Sequence, residues 1–230
     1  RFNAYNLLAI YATAVLCGVE KGEVLRLLST LEAAPGRFQY VNGRGITAIV
    51  DYAHTPDALQ NVISTIDGIR RQTQMLITVV GCGGDRDRSK RPEMAKIAAE
   101  GSDKVVLTSD NPRTENPDSI LDEMEAGLTP QQLSRTVRIT DRRQAIRTAC
   151  MMAKEGDIVL VAGKGHEKYQ EVNGVRSHFD DTEELERELK DGETLLWTGA
   201  PAFGAVLACV EWVKNPACRK DRAPRATRYV

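Results

Sequence analysis

Apolar residues follow two different spacings along the chain. From Phe2 to Val19, and again from Lys21 to Ala33, they recur every three or four positions, and Gly18 separates the two stretches. This spacing predicts two helices, because it places the apolar side chains on one helical face. After the sequence APGRF, which contains both a proline and a glycine, short β-rich runs alternate with stretches of helical spacing.

The alternating part predicts a mostly parallel sheet. Runs such as LITVV and IVLVA are apolar at almost every position, which is typical of strands covered by helices on both faces. Asn116 precedes Pro117, and Asp141 precedes RRQAIRTAC, as expected where helices begin. The predicted fold is an α/β doubly wound sheet with helices on both faces. The expected strands are Ile46 to Val50, Met75 to Val80, Lys104 to Leu107, Val137 to Ile139 and Ile158 to Val161, with helices after Pro56 and from about Arg91, Pro117 and Asp141.

Composition narrows the class of protein. Hydrophobic residues make up 42% and charged residues 27% of the 230 positions, as in ordinary soluble globular proteins, and the formal charge is −1. A near-neutral charge argues against nucleic acid as a partner. No apolar run approaches the roughly 20 residues of a membrane span, and no signal peptide is apparent. We therefore expect a cytoplasmic protein that does not bind membranes.

The cysteines indicate neither a disulfide framework nor a metal site. They are scattered, odd in number and contain no C-x-x-C pair, so reduced thiols and no zinc site are expected. The five positions are Cys17, Cys82, Cys150, Cys209 and Cys218.

Four polar or glycine-rich loops follow predicted strands. They read DYAHTP from Asp51, GCGGDRD from Gly81, DNPR from Asp110 and GKGHE from Gly163. The carboxyl ends of parallel strands meet helix N-termini there, and such edges favour anionic ligands. Because the loops share one sheet edge, we expect one binding site rather than four separate turns.

The charges in these loops suit an amino-acid ligand. Arg86 and Arg113 supply guanidinium groups, which bind carboxylates through two parallel hydrogen bonds, and Glu167 supplies a partner for an ammonium group. Taken singly, each group has an ordinary explanation: the glycines form a tight turn, His54 and His166 are structural, and Arg113 is a surface charge. Their joint placement favours a site.

Four long motifs also resemble a known family. Together they are similar to the Rossmann-like C-terminal domain of the Mur ligases, and in particular of the Mur ligases that add diaminopimelate. The motifs read GRFQYVNGRGITAIVDYAHTPDALQNVI, VVGCGGDRDRSKRPEMAKIA, TSDNPRTENP and VAGKGHEKYQ. The similarity runs from about Phe2 to Leu189, and FNAYNLLAIYA resembles the last helix of the family's central domain. The expected organisation is residues 1–33 from that central domain, 34–190 as the C-terminal domain, and 191–230 as an unassigned tail or linker. The basic run from Lys214 to Val230 is typical of a disordered tail.

The resemblance implies a reaction and a set of ligands. Mur ligases of this kind use ATP and Mg²⁺ to phosphorylate the glutamate carboxylate of UDP-N-acetylmuramoyl-L-alanyl-D-glutamate, and the amine of meso-diaminopimelate then attacks the acyl phosphate, in peptidoglycan synthesis. The implied substrate-binding residues are Arg86, Asn111, Pro112, Arg113, Thr114, Gly163 and Glu167, and the implied nucleotide-binding residues are Arg37, Asp51 and His54. No catalytic residue is assigned.

The sequence also departs from the family pattern. It contains no G-x-x-x-x-G-K-[ST] phosphate loop, so the main ATP and Mg²⁺ sites are expected in a central domain, and the chain is expected to be a fragment without activity by itself. Three alternatives stay open: a ligase adding L-lysine or another amino acid, a non-catalytic amino-acid-binding module, and a dinucleotide-dependent oxidoreductase. The last is disfavoured because no G-x-G-x-x-G follows the first strand.

Overall fold

A computed structural model describes residues 2–30 and 35–190. The predicted tail at 191–230, with its basic run, lies outside the described residues. Within the described ranges the helices are α1 Phe2–Leu16, α2 Lys21–Leu28, α3 Pro56–Asp67, α4 Lys90–Gly101, α5 Pro117–Glu125, α6 Pro130–Leu133, α7 Arg142–Met152 and α8 Asp181–Leu189. The strands are β1 Gln39–Gly43, β2 Ile46–Asp51, β3 Leu76–Val80, β4 Lys104–Leu107, β5 Thr136–Arg138, β6 Ile158–Ala162, β7 Tyr169–Val172 and β8 Val175–His178.

The predicted α/β fold is confirmed, and two of its helices begin at the predicted capping residues. Asn116 accepts the amide N–H of Asp118 at 2.8 Å, and Asp141 accepts that of Gln144 at 2.9 Å. Each bond satisfies one of the free N–H groups of a first helical turn. The second helix was predicted to reach Ala33, but α2 ends at Leu28 with Ser29 as its C-cap.

The main sheet has six strands in the order β1-β2-β6-β3-β4-β5. All neighbours are parallel except β1 and β2, which form an antiparallel hairpin. Strand β6, which comes last along the chain among these six strands, is inserted between β2 and β3, so the loops after these three strands are neighbours. After running outward through β3, β4 and β5, the chain returns to form β6. Ligands of open α/β sheets bind in the crevice at such a reversal of the strand order.

Two apolar clusters cover the two faces of the sheet. One includes the buried sides of α3, α4 and α5, and the other those of α7 and α8. Within β3, Leu76 and Val80 belong to the first cluster while Ile77 and Val79 belong to the second. Both faces of the strand are therefore buried, which explains its unbroken apolar run.

Two hairpins are found that apolar patterning does not predict. Strands β1 and β2 are joined through Arg44 and Gly45, and strands β7 and β8 through Asn173 and Gly174, all four with positive φ. The β7–β8 residues are half-buried or exposed, so they have no apolar run to mark them. The Asn-Gly pair at positions 173 and 174 is itself a hairpin signal.

In the described part of the chain, no helix has the length and apolar character needed to cross a membrane.

Candidate functional site

The loop after β6 contacts the loops after β2 and β4 through a glycine. Gly163 donates its amide N–H to the Asp51 carbonyl at 3.1 Å, and its φ is +115°. A Cβ atom at this position would lie 2.7 Å from Oδ2 of Asp110. Glycine is required here because both the backbone angle and the approach of the carboxylate exclude a side chain.

The loop after β3 is joined directly to the loop after β4. Gly84 donates its amide N–H to the Asn111 carbonyl at 2.9 Å, and a Cβ on Gly84 would lie 1.9 Å from the buried Pro112 carbonyl oxygen. The Asp85 carboxylate accepts the amide N–H of Thr114 at 3.2 Å and its hydroxyl at 2.7 Å. The two loops therefore form one layer.

Arg113 is held in a left-handed conformation, with φ of +53°. Its amide N–H donates to the Glu171 carbonyl at 3.0 Å, and its carbonyl accepts the Asn173 amide at 2.6 Å, so strand β7 fixes the turn. Its Nη1 donates to the carbonyls of Gly84 at 2.8 Å and Asn111 at 3.4 Å. Among the described residues its Nε and Nη2 make no hydrogen bond, so that edge of the guanidinium is available to a carboxylate.

Glu167 lies beside this turn with its side chain 21% exposed. Its Oε2 accepts Nδ2 of Asn111 at 2.8 Å, and its Oε1 is 3.4 Å from the Tyr52 hydroxyl. The Lys164 ammonium, which is completely buried, lies 3.7 Å from Oε2. Asn111 thus contacts Glu167 through its side chain and Arg113 through its carbonyl, which brings a carboxylate and a guanidinium group together.

Burial shifts the pKa values of groups around this pair. Burial lowers the pKa of Lys164, and the Asp110 carboxylate opposes that shift. Burial, helped by the Glu167 carboxylate, raises the pKa of the Tyr52 hydroxyl, which therefore stays protonated and able to donate at neutral pH.

Two of the predicted nucleotide-binding side chains, Arg37 and His54, lie next to the Tyr52 ring, together with His166. The His54 and His166 rings have their centroids 4.5 Å and 5.0 Å from that of Tyr52, and the guanidinium carbon of Arg37 lies 5.1 Å from it. His54 Nδ1 contacts the Tyr52 carbonyl at 2.9 Å. The cluster presents aromatic surface and a cation next to the Glu167 side of the site.

Three predicted residues differ in how much of the side chain is available. The Asp51 carboxylate is buried and accepts the Phe38 amide at 2.8 Å, and burial raises its pKa. Thr114 is exposed, but its hydroxyl is bonded to Asp85. Arg86 is exposed and makes no hydrogen bond to the other described residues.

A buried arginine that sequence reasoning missed holds the α4 end of the site. Arg91 makes two contacts with the Glu115 carboxylate, at 3.0 Å and 2.8 Å, and donates to the Gly83 carbonyl at 3.3 Å. Hydrogen bonds from Arg91 and from the Asp85 amide hold the pKa of Glu115 at about 2. The sequence signal is weak, since Arg91 stands among other basic residues.

A second missed arginine lies beneath the site on the α7 side. Arg142 forms two 2.7 Å bonds with the Asp181 carboxylate and donates to the carbonyls of Ala162 at 3.1 Å and Ser109 at 3.4 Å. Both charged side chains are completely buried. The sequence does not separate Arg142 from its half-exposed neighbour Arg143.

The described residues contain no group of three His, Cys, Asp or Glu side chains placed to hold a metal ion.

The chain matches the model of a known ligase family. Residues 36–165 match the family model described as "Mur ligase, glutamate ligase domain", and the chain belongs to the Mur ligase family. The predicted family resemblance is confirmed.

Curated relatives point to one branch of that family. The chain is 59% identical over 186 residues to the UDP-N-acetylmuramoyl-L-alanyl-D-glutamate–2,6-diaminopimelate ligase of Parabacteroides distasonis, an alignment covering 80% of this chain and 38% of that protein. The ligase of the same name from Cytophaga hutchinsonii is 60% identical over 181 residues, covering 78% of this chain and 37% of the relative.

A solved structure of a ligase with that name is 44% identical, with a TM-score of 0.64, over 82% of this chain and 38% of that one. The chain thus spans less than two fifths of the length of the relatives it matches.

Proposed function

We propose that this chain is the amino-acid-binding C-terminal domain of an ATP-dependent ligase that adds meso-diaminopimelate to UDP-N-acetylmuramoyl-L-alanyl-D-glutamate in peptidoglycan synthesis. One observation carries the proposal: Asn111 is hydrogen-bonded to both Glu167 and Arg113, so a carboxylate and a half-engaged guanidinium are fixed side by side. The names of the relatives agree with a ligand of this chemistry.

Each group has a role that follows from its geometry. The ligand's distal ammonium binds the Glu167 carboxylate, and its distal carboxylate binds the Nε–Nη2 edge of Arg113. Pro112 and the bonds from β7 hold the turn, so little entropy is lost when Arg113 is aimed at the ligand. The other amine of the ligand is thereby directed at the activated carboxylate. The remaining proposed substrate-binding residues, Arg86, Thr114 and Gly163, lie in the same group of loops.

The remaining chemistry requires groups outside this chain. ATP, bound with Mg²⁺, would supply the phosphoryl group that activates the glutamate carboxylate. In this chain, Arg37 and His54 would face the nucleotide, and Asp51 would hold the loop in place. Residues 1–33 are proposed to close a central domain, residues 34–190 to form the C-terminal domain, and 191–230 to be a tail or linker. The proposed partners are the nucleotide precursor, meso-diaminopimelate and the two other domains, in the cytoplasm.

Arg113 provides the test of substrate choice. Diaminopimelate and L-lysine differ by one distal carboxylate. When lysine is bound in a closed site, Arg113 therefore has no ligand carboxylate to pair with. An uncompensated buried charge costs roughly 3–5 kcal/mol, which corresponds to discrimination of about a hundredfold to several thousandfold. Arg113→Ala should lower kcat/KM for diaminopimelate and remove most of the preference over lysine.

The assay compares kcat/KM for both amino acids in the complete ligase. Arg147→Ala is the control, because this arginine is 57% exposed and 3.9 Å from its only ion-pair partner among the described residues, Glu188. Equal use of lysine by the wild type would favour a ligase of different specificity. If the ratio of the two kcat/KM values were unchanged in Arg113→Ala, Arg113 would be a surface charge without a role in substrate choice. A wild type without ligase activity would favour a non-catalytic binding module.

Glu167→Gln tests the ammonium partner separately. The substitution keeps the shape but removes the charge, and hydrogen bonds to charged groups contribute roughly 1.5–3 kcal/mol. The KM for diaminopimelate should rise about tenfold to a hundredfold while the KM for ATP stays unchanged. A parallel rise in the KM for ATP would instead assign Glu167 to the nucleotide site or to the fold.

A further inference from the structure

Lys164 is a buried charge that the proposed function leaves without a role. It directly follows Gly163 at the end of β6, and its side chain is 0% exposed. Burying an ammonium group is costly unless it is paired and hydrogen-bonded. Its contacts therefore indicate what this charge does.

The Lys164 ammonium contacts both the DNPR turn and strand β7. Its Nζ donates to Oδ1 of Asn111 at 3.2 Å and to the Tyr169 carbonyl, and it lies 5.3 Å from the centre of the Tyr169 ring. It is also 3.7 Å from Oε2 of Glu167. The ammonium thus lies between the DNPR turn, strand β7 and the Glu167 carboxylate.

These contacts decide which way the Asn111 amide points. Its Oδ1 accepts from Lys164 and also from the Glu171 amide N–H at 3.0 Å. Ammonium and backbone N–H groups are donors without acceptor capacity, so only the oxygen of the amide satisfies them. The NH₂ group of Asn111 must then face Glu167, to which it donates at 2.8 Å.

We propose that Lys164 is a positioning residue for the ligand's ammonium group, acting through Asn111 and Glu167. Lys164 and Asn111 engage Oε2 of Glu167 and leave Oε1, beside the Tyr52 hydroxyl, directed to the ligand. This inference rests on the proposed function, because it assumes that Glu167 receives the ammonium group.

The proposal separates two sources of selectivity. Glu167 and Lys164 act on an ammonium group that diaminopimelate and lysine share, whereas Arg113 acts on the carboxylate that lysine lacks. Lys164→Met should therefore lower kcat/KM for both amino acids by the same factor. Arg113→Ala, in contrast, should change their ratio.

The experiment measures steady-state kinetics of the complete ligase carrying Lys164→Met. Methionine has a similar length and suits a buried position, and Glu167, which is 21% exposed, keeps its hydrogen bond from Asn111 when the ammonium group is removed. The KM for diaminopimelate should rise about tenfold or more, with the KM for ATP unchanged. Lys168→Met is the matched control, because this lysine is in the same loop, 69% exposed, and should leave both constants unchanged.

A double variant tests the path of action. If Lys164 acts through Glu167, Lys164→Met combined with Glu167→Gln should raise the KM for diaminopimelate no further than the larger single change. Independent, multiplicative effects would overturn the proposal, as would an equal rise in the KM for ATP. A wild type that uses diaminopimelate, together with an unaffected Lys164→Met, would overturn this inference while leaving the proposed function intact.

A measurement on the wild type covers the case in which the variant does not fold. The side-chain amide of Asn111 should exchange slowly with solvent in NMR spectra, because both of its ends are bonded inside the protein. Rapid exchange would overturn the proposal.

Discussion

Arg142→Met should strongly destabilise the protein. Arg142 and Asp181 are both 0% exposed and form a two-point ion pair with distances of 2.7 Å. Burial alone would lower the pKa of Arg142, but the Asp181 carboxylate outweighs it and the pKa is raised. The native state therefore depends on both charges being present.

The magnitude follows from the group left behind. Removing one partner of a buried pair leaves the other charge uncompensated, which costs about 3–5 kcal/mol. For a chain of this size, 1 kcal/mol corresponds to about 2–4 °C in Tm, so a decrease of roughly 6–20 °C is expected. The carbonyls of Ala162 and Ser109 also lose a donor, and both precede loops of the site.

The assay is urea and thermal unfolding of the 230-residue chain, followed by circular dichroism. Arg147→Met is the control on the same helix, since Arg147 is 57% exposed and exposed ion pairs contribute about 0–1 kcal/mol. Replacing both partners, as in Arg142→Met with Asp181→Leu, should recover much of the lost free energy of unfolding. A loss below about 1 kcal/mol in Arg142→Met, or no recovery in the double variant, would refute the reasoning.

Four further outcomes are expected. Gly84→Ala should lower the free energy of unfolding by about 1–3 kcal/mol or more and raise the KM for diaminopimelate, because its Cβ would lie 1.9 Å from a backbone oxygen; unchanged values would contradict this close approach. Glu115→Gln should lower the free energy of unfolding above about pH 4.5, and the difference from wild type should disappear as the pH falls toward 2, because the folded pKa of about 2 lies below the ordinary 4.5; a difference independent of pH would contradict it. Cys82, whose pKa burial raises to about 12, should react with a thiol reagent far more slowly than exposed Cys17 when labelling is mapped by mass spectrometry. The 230-residue chain mixed with ATP, nucleotide precursor and diaminopimelate should form no ADP, since it lacks the phosphate loop, and adding the two other domains should restore turnover.

Much of the architecture is written in local sequence. Apolar runs and helical spacing identify the strands of the parallel sheet and the long helices, and residues such as Asn116 and Asp141 mark helix starts, because capping and periodicity depend on neighbours in the chain. The placement of the four loops on one edge of the sheet is also predicted, since parallel strands have their carboxyl ends on the same edge. Arg113 and Glu167 stand out there by charge alone.

The contacts between the loops could not be predicted from the sequence, because they depend on which strands become neighbours in the sheet. The insertion of β6 between β2 and β3 brings Gly163 against Asp110 and sets Lys164 beside Asn111, although more than 50 residues separate each pair. Hairpin β7–β8 is polar and half-exposed, so no apolar pattern marks the strand that holds Arg113.

The clearest limit is the contrast between two adjacent arginines. Arg142 and Arg143 follow the same cap and are chemically identical, yet one side chain is 0% exposed and the other 50% exposed. Helical geometry separates them by about 100° around the axis, so only one points beneath the sheet edge toward Asp181. The sequence by itself determined the strands of the parallel sheet, the caps and the composition of the loops. The packing of α7 and α8 on the sheet decided which charges are buried, because burial depends on contacts between segments distant in the chain.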